Sequence, residues 1–357
     1  MAGGPDRVQE LLPVGDALHH PGVHRSGAGD GAGRIRKEEG AMMKKDMFVI
    51  GMDGGGTKTH AVIVDHHGTV MAEHTLGPSN FQIIGVEKAA DVLHELVRLC
   101  CESAECAPKH VAAVVCGLTG AGRPGDQKRM AEGLKAYAAA KKTVLKSVLV
   151  ESDARIALEG AFNGAPGIIL IAGTGSIAFG KDAKGTVHRV GGWGRVLGDE
   201  GSGYFLGRLG LTAVTRELDG RGEKTALTKM LASKYGLKDQ TSIINAVYKE
   251  NFDVASVAPL VLEAASRKDA EAHAIVEFAV MELTEHVKTL SQRLTVKSAK
   301  NVRSKLPLSF IGGLIANTTI LSSMLQQHIA VNIPAVQVTA PMSSPAYGAA
   351  LMGMRTR

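Results

Sequence analysis

The sequence predicts an α/β protein built from two similar halves, each opening on a β-hairpin with a glycine- and threonine-rich turn. Three observations predict it. First, Phe48-Val49-Ile50 and Ala61-Val62-Ile63-Val64 are apolar runs of strand length on either side of Asp53-Gly54-Gly55-Gly56-Thr57. Second, Ile168-Ile169-Leu170-Ile171 and Ile177-Ala178-Phe179-Gly180 flank Ala172-Gly173-Thr174-Gly175-Ser176 in the same way. Third, strands alternate with amphipathic helical segments after each hairpin, the pattern of a mixed sheet.

The first turn has the chemistry of an anion site. Glycine lets a ligand approach the backbone closely, and successive backbone N–H groups form a concave anion cradle. Thr57 adds a hydroxyl donor, and Asp53 supplies a carboxylate able to hold magnesium directly or through water. A P-loop does not fit, because Lys58 follows Thr57 and a strand, not a helix, comes next.

The chain of 357 residues suggests two domains, and 45% hydrophobic content supplies a sizeable core. The net charge of +6 is spread without a basic block interleaved with aromatics, which argues against a nucleic-acid partner. Cys100, Cys101, Cys106 and Cys116 form no CxxC pair and read as free thiols of a reducing cytoplasm. No apolar run approaches the roughly 18 residues of a membrane span, and no secretory signal is present. Residues 1–46, rich in Gly, His and Arg with Pro5, Pro13 and Pro21, are expected to be a disordered extension. Lys37-Glu38-Glu39-Gly40 before Met42 and Met43 reads as a translated ribosome-binding site, hence a misplaced start.

In order, the expected elements begin with the first hairpin, closed at His66-His67-Gly68, and a third strand over 70–75. Gly77-Pro78-Ser79-Asn80 forms a loop, and Val86, Ala89, Ala90, Leu93, Leu96, Val97 and Cys100 repeat at helical spacing. A buried strand over 111–116 runs into the Gly-rich loop 117–125, followed by a helix over 127–139. The strand 148–150 ends at Glu151-Ser152-Asp153, before a helix over 154–162. Asp153 just past a strand end stands where such sheets place ligand groups, and it also fits an N-cap, with Ser152 the other cap candidate. The second hairpin is followed by a polar turn over 181–185 and a strand over 186–190. Gly173-x-Gly175-x-x-Ala178 matches a dinucleotide fingerprint, but that motif must open a helix and here a hairpin follows. The stretch 191–203, GGWGRVLGDEGSG, is too glycine-rich to pack a core and reads as a ligand loop or mobile connector. Within it, Trp193 suits a sugar or acyl face or a hydrophobic rim, and Asp199 a sugar site or a glycine-turn stabiliser. Residues 204–294 read as mostly helical with Pro259 as a breaker. A strand over 308–311, Gly312-Gly313, a helix over 318–328, a strand over 336–338 and a helix over 345–354 complete the chain.

Two halves that each start with a Gly/Thr hairpin, with a late strand-Gly-Gly-helix, resemble the actin-like ATPase superfamily that includes sugar kinases and actin. DGGGTKT at 53–59, GPSN at 77–80, Ser152-Asp153-Ala154, AGTGS at 172–176 and GGWGRVLGDEGSG at 191–203 look like the N-acetylglucosamine kinase branch of the BadF/BadG/BcrA/BcrD ATPase family. The resemblance runs from about Met47 to the C-terminus. It implies two actin-like (ribonuclease H-like) domains around a nucleotide cleft, 47–165 and 166–344, with the last helix, 345–357, packing back on the first. ATP and Mg2+ are the implied cofactors. Gly55, Gly56 and Thr57 would face Thr174 and Gly175 across the phosphates, with Gly312 and Gly313 against the adenosine. Asn80, Ser176, Gly192, Trp193, Gly194 and Asp199 match sugar-touching positions, although Asn80 is equally a turn residue. Asp153 matches the catalytic carboxylate, and Asp53 remains the candidate metal group.

The implied reaction is phosphorylation of an amino sugar by a cytoplasmic homodimer, N-acetylglucosamine to its 6-phosphate. Glucosamine and N-acetylmuramic acid are the other candidate sugars; Arg195 beside Trp193 either favours a carboxylate-bearing sugar or lies in solvent. The same family contains iron–sulfur ATPase activators of 2-hydroxyacyl-CoA dehydratases. No cysteine follows Cys116 here, where that cluster would need them. A sugar-sensing regulator would carry a helix-turn-helix, a pattern that 1–46 lacks.

Overall fold

The computed structural model describes residues 47–295 and 305–355, so the expectations about 1–46 lie outside the described residues. Two five-stranded mixed sheets carry the fold, as the alternation of strands and helices predicts. In the first, Phe48–Gly54 (β1), Thr59–Val64 (β2) and Val70–Leu76 (β3) form an antiparallel meander. Val111–Leu118 (β4) and Val148–Ser152 (β5) add in parallel beyond β1, giving the order β3-β2-β1-β4-β5. In the second, Gly167–Ala172 (β6), Ser176–Lys181 (β7) and Val187–Gly191 (β8) form the meander. Leu306–Ile311 (β9) and Val336–Val338 (β10) are the parallel additions, in the order β10-β9-β6-β7-β8. The repeat visible in two turns of the sequence therefore extends to all five strands.

β1 is covered on both faces, which is why Val49, Ile50 and Met52 are all fully buried. The short helix Phe81–Ile84 (α1) leads into Val86–Ser103 (α2), whose apolar stripe packs with Pro124–Ala140 (α3) on one face. The other face is covered by the last helix, Pro345–Arg355 (α11), through Ala346 and Ala350 against Val49, Val62, Val64 and Ala113. Small residues bring these backbones into contact: a β-carbon on Gly51 would stand 2.1 Å from the Ala346 carbonyl.

Asp153–Ala161 (α4) leaves the end of β5 and crosses to the second sheet, where Ala157, Leu158 and Ala161 pack with Ile169, Phe179 and Ile311. A buried charge cluster sits at this crossing. Glu159, 1% exposed, accepts from Lys181 at 2.5 Å and pairs with Arg155 at 3.0 Å and Arg355 at 3.1 Å. The polar turn expected from 181 begins one residue later, because Lys181 is the buried last residue of β7. The far face of the second sheet carries Gly203–Leu218 (α5), Ala226–Tyr235 (α6), Gln240–Lys249 (α7), Ala258–Ser266 (α8), Ala270–Thr295 (α9) and Ile320–Asn332 (α10) around the largest apolar core. Pro259 lies in the first turn of α8, where its missing N–H costs nothing. Among the described residues no helix is long and apolar enough to cross a membrane.

Candidate active site

The β1–β2 turn closes with Gly55 N–H donating to Lys58 O at 2.9 Å, which leaves Gly56, Thr57 and Lys58 exposed at its tip. Two loops are stitched beneath it. Ser79 and Asn80 donate their backbone N–H groups to Gly55 O, and Thr119 N–H donates to Gly54 O at 2.9 Å. Only glycine fits at 54: a β-carbon there would meet Ser79 Oγ at 2.1 Å and Leu118 Cδ2 at 2.6 Å.

At the end of β5 the helix cap falls to Ser152 rather than Asp153. Ser152 is the N-cap of α4, its Oγ accepting from Arg155 N–H at 3.2 Å. Asp153 is thereby released from capping. Its Oδ2 accepts from the Thr119 hydroxyl at 2.8 Å, and its Oδ1 from Ala154 N–H at 2.7 Å. Asp53, at the end of β1, has its pKa raised by burial and then by the charge of Asp153, against the opposing charges of His60 and Lys58. Both carboxylates line a cleft of about 630 Å³, with Gly122 and Ser152 from the first half and Ile177, Phe179, Arg189 and Gly192 from the second.

This donor set fits a magnesium ion. Magnesium takes one or two carboxylates and completes its shell with water and phosphate oxygens. Among the described residues no group of three or more His, Cys, Asp or Glu side chains forms a protein-only metal cage.

The second hairpin is built like the first. Gly173 N–H donates to Gly175 O at 2.9 Å, and Thr174 is exposed at the tip. The end of the 191–203 loop is sewn onto it: Gly203 N–H donates to Gly173 O at 2.7 Å and Tyr204 N–H to Thr174 O at 3.2 Å. The Ser176 hydroxyl donates to Glu200 O at 2.7 Å. Asp199 holds left-handed backbone, φ +59°, a conformation that Asp tolerates better than most residues. Its carboxylate lies against Gly175, where a β-carbon would stand 2.9 Å from Oδ2. Gly312 abuts Ala172, and Leu314 N–H donates to Ala172 O at 3.3 Å, so the Gly312-Gly313 turn lies beside this hairpin. β7, not a helix, follows the Gly173-x-Gly175 turn, which removes the dinucleotide reading.

The structure thus brings Asp53, Asp153 and Gly192 to one cleft, and joins Thr174, Gly175, Ser176, Asp199 and Gly312 around the second turn. Asn80 is the N-cap of α1, its Oδ1 accepting from Gln82 N–H at 3.2 Å, so its turn role is real and its amide N–H₂ is what remains for a ligand. Trp193 is 72% exposed, with the Arg189 guanidinium 5.8 Å from its ring centroid. The Arg195 guanidinium stands 5.7 Å from the Tyr204 ring centroid. Two residues, one beside the cleft and one lining it, escaped sequence reasoning. Thr119, which orients Asp153, is one polar residue in a Gly-rich loop; Arg189, the cation lining the cleft, looks like any strand arginine.

The cysteines do not form a cluster site. Burial pushes the Cys100 and Cys116 thiols up to about 12 and raises Cys101 and Cys106, and all four pack in or against the first core. Among the described residues they belong to no group of three or more His, Cys, Asp or Glu side chains able to hold a metal.

The chain is 32% identical over 308 residues to the N-acetylmuramic acid/N-acetylglucosamine kinase of Clostridium acetobutylicum, covering 85% of this chain and 97% of the relative. It is 30% identical to the N-acetyl-D-glucosamine kinase of Dictyostelium discoideum, over 88% of this chain and all of the relative. A solved Chromobacterium violaceum protein assigned as an N-acetylglucosamine kinase superposes with a TM-score of 0.62 at 27% identity, over 86% of this chain and 99% of that one. Residues 50–353 match the BadF/BadG/BcrA/BcrD ATPase family, and the chain belongs to that family.

Proposed function

We propose that the protein transfers the γ-phosphoryl group of ATP to an amino sugar, converting N-acetylglucosamine to N-acetylglucosamine 6-phosphate. The observation that carries this reading is Asp153: uncapped, oriented by Thr119 and opening on the cleft that it shares with Asp53. Phosphoryl transfer asks a protein mainly to position reactants and neutralise charge. The exposed turns around Gly55, Gly56, Thr57, Thr174 and Gly175 supply backbone N–H and hydroxyl donors for the phosphates. Gly312 and Gly313 take the adenosine side. Asp199, with Asn80, Ser176, Gly192, Trp193 and Gly194, holds the sugar so that its 6-hydroxyl reaches the Asp153 carboxylate, which accepts the hydroxyl proton. Asp53 holds magnesium, which supplies neutralisation of phosphate charge when bound.

The segments 47–165 and 166–344 act as the two lobes of the cleft. Exposure of Trp193, Val196 and Leu197, at 72, 86 and 78%, supports a 191–203 loop that folds inward when the lobes close. Buried, reduced cysteines fit work in the cytoplasm, and a homodimer completes the proposal, to be checked by mass in solution.

The test is ADP release by purified protein with ATP and magnesium against N-acetylglucosamine, glucosamine, N-acetylmuramic acid and glucose. The expected result is the highest kcat/KM for N-acetylglucosamine. Equal rates with and without each amino sugar would contradict the proposal.

A further inference from the structure

The 191–203 loop carries most of the proposed sugar contacts, yet its glycines give it little stiffness of its own. One buried side chain behind it touches both of its ends. His286, on α9, is 8% exposed. Its imidazole lies against the start of the loop: a β-carbon at Gly191 would stand 3.1 Å from both Cε1 and Nε2. The same Nε2 stands 3.6 Å from Glu200 Oε2, at the other end. That is close enough for each group to feel the other's charge and slightly too long for a hydrogen bond. Both Glu200 Oε2 and His286 Nδ1 are buried without a hydrogen-bond partner. Two turns further along the same face of α9, Arg293 Nη1 donates to Arg189 O at 3.1 Å. Arg189 in turn donates to the carbonyls of Gly191, at 3.1 Å, and Gly192. α9 therefore reaches both ends of the loop: through Arg293 and Arg189 at its start, and with His286 beside Glu200 at the other. Asp199, next to Glu200, and Trp193, two residues from Gly191, lie between these anchors.

The geometry points to His286 as a positioning residue for sugar binding: through Gly191 and Glu200 it fixes the span that presents Trp193 and Asp199, and inward movement of the loop completes its hydrogen bond to the Glu200 carboxylate. This rests on the amino-sugar kinase reading above. The role is expected on the sugar side, because the ring lies against Gly191 and Glu200, the residues that flank Trp193 and Asp199. An unfilled polar pair at hydrogen-bond range plus a few tenths of an ångström is a contact that a small shift of the loop can make or lose. Burial lowers the pKa of His286, against the opposing charge of Glu200, which favours a neutral ring able to give one N–H to that carboxylate once the loop moves inward.

The test compares His286→Leu, which removes both ring nitrogens, with His286→Gln, which keeps an N–H donor, and with Glu200→Ala, which removes the acceptor from a partly exposed side chain. In His286→Leu and Glu200→Ala, the KM for N-acetylglucosamine should rise about 10- to 100-fold. ATP KM and kcat at saturating sugar should stay within about twofold, and His286→Gln should recover to within about threefold of the parent KM. Sugar and ATP KM rising together, or a Glu200→Ala variant with the parent sugar KM, would overturn the role. Trypsin digestion without sugar separates this inference from the substrate assignment. Cleavage after the exposed Arg195 should be several-fold faster in His286→Leu than in the parent whether or not any amino sugar binds. Equal cleavage rates would overturn the anchoring even if the kinase activity stands.

Discussion

Asp153→Asn changes one atom at the proposed base and should separate chemistry from fold. The amide oxygen can still accept the Thr119 hydroxyl, and Ser152 keeps capping α4, so the helix loses no cap. What the fold loses is an anionic side chain in the first turn of α4, worth roughly 0.3–1 kcal/mol, and the bond from Ala154 N–H, which the amide N–H₂ cannot accept. At a domain of this size that is a few degrees of Tm at most. What the reaction loses is the proton acceptor, an effect of about 10²–10⁴ in kcat, or roughly 2.7–5.5 kcal/mol at 1.36 kcal/mol per decade. ATP affinity should hold or improve slightly, because one anion leaves a cleft that receives a triphosphate. The assay is coupled ADP release at saturating N-acetylglucosamine, with Tm and nucleotide binding measured on the same preparation. Turnover within about threefold of the parent would refute the assignment of Asp153 as the base, whatever the Tm does.

Three further outcomes are expected. Thr57→Ala and Thr174→Ala each remove a hydroxyl donor from an exposed turn, so each should raise ATP KM about tenfold while sugar KM moves less than twofold; an equal rise for both ligands would point to misfolding. Asp53→Asn should raise the magnesium concentration needed for half-maximal rate, and an unchanged titration would remove Asp53 from the metal site. Glu159→Gln leaves Lys181, 4% exposed, without its counter-charge and should cost about 3–5 kcal/mol in urea unfolding. Most of that loss belongs to Lys181, because Arg155 and Arg355 are partly solvated, and a loss below about 1 kcal/mol would show the cluster to be dispensable.

Both hairpins were legible in the sequence because apolar strand runs broken by Asp-Gly-Gly-Gly-Thr and Ala-Gly-Thr-Gly-Ser leave no other local solution. The third strands and the late strands over 308–311 and 336–338 were legible too; their pairing was not, because β9 joins β6 in parallel from more than a hundred residues away and no local signal marks it. Lys181 read as part of a polar turn, since its burial depends on Glu159 arriving from another element. Thr119 and His286 were invisible for the same reason. A threonine in a Gly-rich loop and a histidine on an amphipathic helix acquire roles only when Asp153 and Glu200 are brought beside them. Asp153 is the intermediate case: the sequence offered two roles, and the Ser152 cap observed in the structure supports the catalytic one.

The most direct measurement is the identity of the product. N-acetylglucosamine, ATP and magnesium are incubated with the protein, and phosphorus and carbon NMR assign the new ester while ADP is quantified alongside. The account expects one ADP per sugar phosphate, with the phosphoryl group on the 6-oxygen. ATP hydrolysis to free phosphate without a sugar ester, or phosphate on another oxygen, would contradict it.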